Sequence, residues 1–337
     1  MSLDGVLGNG RVKTILRLSL QKSRLPNSLL FCGPKGVGKR RLALALAQAV
    51  NCERLRDDAC DECPSCLAIS GGRFPDVQEI RPTGQVIRVE HVREMRQAAY
   101  LRPMTGRKRV FIILEADKMN EESSNTVLKI LEEPPLFSLF ILVTDNPYLI
   151  LPTIKSRCQV LQFSPIGREE ITTALLDTGW PADRARIVSL YVKGNLEEAL
   201  RVNWGEVDND RRQAWEFFLS IIKPEKPAQF LRAYAFAPRN VVREDLKRTL
   251  EIMASFCRDL VLIKDGGDLS LLLNPDFEEP LRALAHSCSL ERCWEFLRRA
   301  DMALSGLDKN LNMSLIGCAF HSLLGEETHG RNRLSRL

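Results

Sequence analysis

The chain predicts an α/β protein: a parallel sheet around a phosphate-binding loop, then segments that are helical throughout. Three observations predict this. A glycine loop links a short apolar run to a helical pattern, two further short apolar runs alternate with helical stretches, and strand-like runs cease after Pro165. Strands covered by helices on both faces read as such short, continuously apolar runs.

Residues 29–32 (LLFC) form the first strand candidate and lead directly into GPKGVGK. The next segment, RRLALALAQAV, is apolar enough for a buried helix. Residues 110–114 (VFIIL) and 139–144 (LFILVT) are β-branched or aromatic runs too short for helices. Helical patterns lie between them at 89–100 and 121–131. From 168 to about 200 the apolar spacing is helical, broken at Gly179-Trp180-Pro181 and Gly194-Asn195. Amphipathic helices are expected at 211–222, 241–264, 279–286, 290–304 and 311–324. Boundaries near 165 and 207 divide the chain into 1–165, 166–206 and 207–337, in keeping with 337 residues being too long for one ordinary core.

Composition narrows the class. With 45% hydrophobic and 27% charged residues the chain is an ordinary globular sequence, which argues against long disorder. No run approaches the ~18 apolar residues of a membrane span. The first residues, MSLDG, lack the basic start and apolar core of a secretory signal. A soluble, cytoplasmic protein is expected, without membrane partners. The net charge of +5 permits contact with nucleic acid without requiring it.

The loop from Gly33 to Lys39, with Gly36 and Gly38 between, has the strand-before, helix-after setting that phosphate binding needs. Glycines allow backbone N–H groups to turn toward phosphate oxygens, and the helix N-terminus adds positive potential. Lys39 would reach the terminal phosphates. The following position normally holds Ser or Thr, whose hydroxyl ligates Mg²⁺; here it is Arg40, which cannot ligate a cation and repels one. At the end of the 110–114 run, Leu114 stands where a metal-associated Asp is usual, while the acidic Glu115 survives. The departures leave ATP at most a weak hold through Lys39 and the loop N–H groups. The plain alternative is a strand-to-helix turn with an incidental glycine cluster.

Cys52, Cys60, Cys63 and Cys66 have the spacing C-x7-C-x2-C-x2-C. Paired two-residue gaps let thiolates converge on one centre, as in four-sulfur Zn²⁺ sites. A full thiolate set leaves no position for water, so the Zn²⁺ would be structural. Free thiols are the alternative, but Asp57, Asp58, Asp61 and Glu62 make the loop polar, which disfavours burying them.

GPKGVGK, the four-cysteine insertion, SSNTVLKILEEPP (residues 123–135) and KSRC (residues 155–158) occur in that order. Together they resemble the AAA+ clamp-loader family of bacterial DNA polymerase III, densely over residues 3–165. DKNLNMSL (residues 308–315) is similar to an Asn-containing motif in the family's last helix. The resemblance implies an AAA+ core at 1–165, a helical lid at 166–206 and a helical collar at 207–337. It also implies a hetero-pentameric ring with ATPase subunits and a delta subunit, acting on a sliding clamp and primed DNA. Arg157 then corresponds to an arginine finger directed at a neighbour's ATP, where a guanidinium stabilises charge on the transferring phosphoryl group; taken alone, it reads as a solvated loop charge. Gly194-Asn195-Leu196-Glu197-Glu198 resembles the sensor-2 segment, with acids where active members carry Arg.

The leading expectation is therefore a non-hydrolysing subunit of a clamp loader. An ATP-hydrolysing motor subunit of the same assembly is the alternative, opposed by Arg40, Leu114 and Glu197. A zinc-dependent nucleic-acid enzyme would need an open metal position. Arg107-Lys108-Arg109 reads as a solvated turn, Glu132-Glu133 as helix-end acids, and Trp204, Trp215 and Trp294 as core or interface anchors.

Overall fold

The computed structural model describes residues 2–222, 243–309 and 311. The chain divides into two compact units, Met1–Arg201 and Val202–Leu337. Residues 166–201 thus share a unit with the sheet.

The first unit holds helix α1 (Gly10–Gln21), strand β1 (Ser28–Cys32), α2 (Lys39–Asn51), α3 (Pro64–Ser70), β2 (Val77–Ile80), α4 (Val89–Ala99), β3 (Arg109–Ile113), α5 (Glu121–Glu132), β4 (Ser138–Thr144), α6 (Pro152–Lys155) and β5 (Gln159–Gln162). Three helices follow: α7 (Arg168–Asp177), α8 (Ala182–Tyr191) and α9 (Leu196–Ala199). The sheet is parallel, in the order β2-β3-β4-β1-β5. In register, Leu29 lies between Ile141 and Gln159, and Cys32 between Thr144 and Gln162. β1, β3 and β4 are buried at every position, which is why each reads as an unbroken apolar run. The edge strands β2 (VQEI) and β5 (QVLQ) keep several positions at the surface, and they have no such run.

Arg109 corrects the reading of the Arg107-Lys108-Arg109 run as a solvated turn. It opens β3 and is buried, with its guanidinium 3.3 Å from Asp76, whose side chain is fully buried. Asp76 also accepts the N–H groups of Met104, Thr105 and Gly106 at 2.7–2.8 Å. Burial pushes this carboxyl up, but the N–H donors and Arg109 outweigh it and hold it below the ordinary Asp value. Lys108 is tucked in as well: its Nζ donates to Asn27 Oδ1 at 2.8 Å, and burial pushes its pKa down.

The second unit contains α10 (Trp204–Ile222), α11 (Arg243–Lys264), α12 (Glu278–Ala285) and α13 (Leu290–Asp308), with no strand among the described residues. α10 begins at Trp204, ahead of the expected 211, because Asn203 Oδ1 accepts the Glu206 N–H at 3.0 Å and starts the helix there. The core is aromatic. Trp215 lies 5.1 Å from Phe256 and 5.2 Å from Phe277, and Phe218 meets Phe296 edge-on at 5.2 Å. Buried Arg211 forks onto Asp276 through two 2.7 Å bonds and lies over the Phe277 ring. Trp294, by contrast, is 60% exposed and does not join this core. The helix expected at 311–324 and most of DKNLNMSL lie outside the described residues.

Candidate functional site

The phosphate loop leaves the C-terminal end of β1, where open parallel sheets place their ligand crevice. Gly36 and Gly38 have φ of +74° and +89°, values that L side chains rarely adopt. Gly33 also has no room for a side chain: a Cβ there would stand 2.5 Å from the carbonyl oxygen of Phe163. At Gly36 a Cβ would fall 1.5 Å from Asn195 Oδ1, so the loop is packed directly against the start of α9. Glu197 N–H reinforces this contact by donating to the Gly36 carbonyl at 3.3 Å.

Lys39, the first residue of α2, is buried and fully engaged. Its Nζ donates to the Gly33 carbonyl at 2.6 Å and to that of Pro34, and pairs with Asp145 at 2.7 Å. Asp145 directly follows β4, adjacent to β1 in the sheet. A phosphate reaching Lys39 would have to displace this carboxylate. Arg40 forks onto Glu79 of β2 at 2.9 and 3.2 Å, so the side chain at the usual hydroxyl position is spent on an ion pair. Glu79 is also bound by Arg81, and its carboxyl lies low because these two guanidinium groups outweigh the effect of burial.

Leu114 is buried and donates its N–H to Ile80, an apolar side chain at the carboxylate position. Glu115 has left-handed backbone, φ +51°, and pairs with Lys118 at 2.5 Å. Asp117 instead faces the sheet end, accepting the Thr144 hydroxyl at 2.6 Å. Around the loop the structure thus brings together Gly33, Gly36, Gly38 and Lys39, with Arg40 drawn to Glu79 and Glu115 to Lys118. Glu197 pairs with Arg201 at 2.7 Å, and Glu198 accepts from Asn195 at 3.0 Å, so both acids of the sensor-2-like segment are satisfied locally.

Arg157 follows α6. Its Nη2 donates to Glu132 Oε1 at 2.9 Å and its Nη1 to the Thr153 carbonyl at 3.1 Å. The guanidinium is about one-third exposed and holds one carboxylate. A phosphate could replace that carboxylate without a change in the sign of the partner. Neighbouring Cys158 is buried, which pushes its thiol up to about 12 and leaves it inert.

The four cysteines converge. The sulfurs of Cys52, Cys60, Cys63 and Cys66 all lie within 4.8 Å of one another. A tetrahedral ion with ~2.3 Å bonds to sulfur sets its ligands ~3.8 Å apart, so the set fits a metal ion such as zinc. N–H groups of Leu55, Cys63 and Cys66 donate to the sulfurs of Cys52, Cys60 and Cys63 at 3.3–3.5 Å, the support a thiolate needs. The Glu62 N–H is the main reason that the Cys60 thiol is held down at about 7, while burial pushes Cys66 up. Cys63 caps α3 and Pro64 opens it, so this short helix delivers Cys66 to the cluster.

Asn195 stands in the sensor-2-like segment, but Glu79 and Asp145 carry no motif of their own. They are invisible in the sequence because each meets its partner only through the fold. The acid following LFILVT is the nearest available signal for Asp145.

Among relatives, residues 8–167 match the family described as DNA polymerase III, delta subunit. Subunit delta' of DNA polymerase III from Bacillus subtilis is 28% identical over 269 residues, covering 80% of this chain and 82% of that protein. Subunit tau from the same organism is 36% identical over 169 residues, which is 50% of this chain but only 30% of tau. A solved gamma-subunit-related protein from Thermotoga maritima aligns over 93% of this chain and 98% of its own, at 17% identity and a TM-score of 0.44. Residues 8–167, which hold the phosphate loop and the whole five-stranded parallel sheet, are thus similar in sequence to subunits of bacterial DNA polymerase III.

Proposed function

We propose that this chain is a delta-prime-like subunit of the clamp loader that does not hydrolyse ATP, helps load the sliding clamp onto primed DNA, and lends Arg157 to a neighbouring ATPase subunit. The observation that carries the reading is the state of the two metal-holding positions. Arg40 is neutralised by Glu79, and Leu114 is buried and apolar. The hydroxyl and the carboxylate that these two positions normally supply to Mg²⁺ are both replaced, so this chain is poorly equipped to neutralise the charge that phosphoryl transfer develops. Catalysis by this chain is then exercised on another subunit's nucleotide. Arg157 suits such a role, because it lies between α6 and the start of β5, is partly exposed and already holds an anionic group.

Its partners in this reading are ATPase subunits and a delta subunit in a hetero-pentameric ring, in the cytoplasm. Zn²⁺ would be held by Cys52, Cys60, Cys63 and Cys66 as a structural ion. An intact glycine loop with Lys39 in place favours the motor reading instead, and one experiment separates the two. The isolated chain is expected to show no Mg²⁺-dependent ATP turnover. Arg157→Ala is expected to assemble normally with partner subunits while lowering ATP hydrolysis by the reconstituted complex, with clamp and primed DNA, by roughly 10³-fold at the site it serves. Arg157→Lys should recover part of the rate, since an ammonium keeps charge but loses the planar fork. Turnover by the isolated chain that vanishes with Lys39→Ala would establish the motor. Wild-type hydrolysis by an assembled Arg157→Ala complex would end the finger assignment.

A further inference from the structure

The segment at residues 2–6 is gripped on one side by the cysteine knuckle. Ser2 N–H donates to Asp61 Oδ2 at 2.8 Å, and Leu3 N–H to Asp58 Oδ1 at 2.7 Å. The other oxygen of Asp58 binds Arg17 at 3.1 Å, and Arg17 reaches back to Asp4 at 2.6 Å. Gln21 of α1 adds a 3.0 Å bond to Asp57. Leu3 is fully buried.

On the other side the same segment backs the phosphate loop. Val6 is buried, and its Cγ1 would lie 3.4 Å from a Cβ placed on Gly38. Lys13 Nζ pins the Val6 carbonyl at 2.8 Å. Asn9 then donates to the Val37 carbonyl at 3.4 Å and exchanges bonds with Ser164 at 2.8 and 3.3 Å. Residues 2–9 therefore run from the knuckle to the loop and the end of the sheet.

The grip depends on where the knuckle places its acids. Asp58 and Asp61 bracket the ligand Cys60, and Asp61 has left-handed backbone, φ +59°, which a non-glycine residue keeps only when its surroundings impose it.

We propose that Asp58 and Asp61 are positioning residues that tie the segment at 2–6 to the metal-loaded knuckle, so that metal retention there steadies Gly38 and the first turn of α2. The proposal rests on reading the four thiolates as a metal site. It gives the knuckle a role toward the nucleotide loop, whether or not nucleotide is bound.

Hydrogen exchange read by mass spectrometry on the full chain tests it, with metal content measured on the same samples. Asp58→Ala is expected to keep its metal and to exchange faster by roughly tenfold at residues 3–6 and 42–44, the scale of one hydrogen bond to a charged group. Wild type stripped by a chelator should show the same acceleration, and stripping Asp58→Ala should add nothing at those residues. Asp58→Asn, which keeps an acceptor for the Leu3 N–H, should restore protection at 42–44. Metal-loaded Asp58→Ala with wild-type exchange at 42–44 would overturn the proposal, as would equal acceleration on stripping both backgrounds. A wild type that carries no metal would overturn the metal reading itself; the Asp58→Ala comparison then decides separately whether the segment is held by this acid.

Discussion

Asp76 sets the most testable single-residue balance in the first unit. It gathers three backbone N–H groups of the turn before β3 together with the buried Arg109. Asp76→Asn would leave Arg109 buried without a counter-charge, and we expect a loss of about 3 kcal/mol in chemical denaturation at neutral pH. The pH dependence has a definite sign. Because the folded carboxyl lies below the ordinary Asp value of 3.8, its contribution is complete above that pH and is lost as pH falls through the folded value. The gap between wild type and Asp76→Asn should therefore narrow on acidification below pH 3.8 and stay level between about pH 5 and 7. A gap that widens on acidification would contradict this assignment.

At the scale of elements, the contact between the phosphate loop and α9 is the one that invites a test. Gly36→Ala has to bear left-handed backbone, about 1–2 kcal/mol for an L residue, and also displace Asn195, whose Oδ1 lies where the methyl would go. In an Asn195→Ala background the collision is gone, so Gly36→Ala should cost only the backbone part there. Melting curves of the two single variants and the double variant give the coupling, and additivity would mean that α9 does not press on the loop. The same elements show what the sequence could reveal. The buried strands β1, β3 and β4 were legible because both faces are covered and nearly every residue is apolar. β2 and β5 were not, since edge strands carry Gln and Glu at exposed positions. Cys52, Cys60, Cys63 and Cys66 were legible from spacing alone, and the structure brings their sulfurs together. The partners that hold Lys39 and Arg40 were not, because Asp145 and Glu79 are ordinary acids until the sheet places them.

For the whole molecule, two compact units predict separable responses. Cys63→Ser should lower bound metal, measured by elemental analysis, and lower the melting temperature of the first unit. A closed thiolate site contributes folding free energy, so its loss is felt where the metal sits. Trp204, Trp215 and Trp294 lie in the second unit and only Trp180 in the first, so tryptophan emission follows mainly the second unit. Its transition should stay in place in Cys63→Ser; a matching shift would mean that the units melt as one. The order of strands has a consequence for how the chain is made. β1 pairs only with β4 and β5, beginning at Ser28↔Phe140 and Leu29↔Gln159. On the ribosome, LLFC therefore emerges long before either neighbour exists. At ~5–20 residues per second, this apolar strand and the glycine loop behind it wait several seconds for partners, a window in which chaperones can bind them. The piece of the protein most recognisable as a nucleotide site is thus translated early but takes shape only once β5 has been made, and the helical patterns translated in between have to hold the chain in solution until the sheet closes.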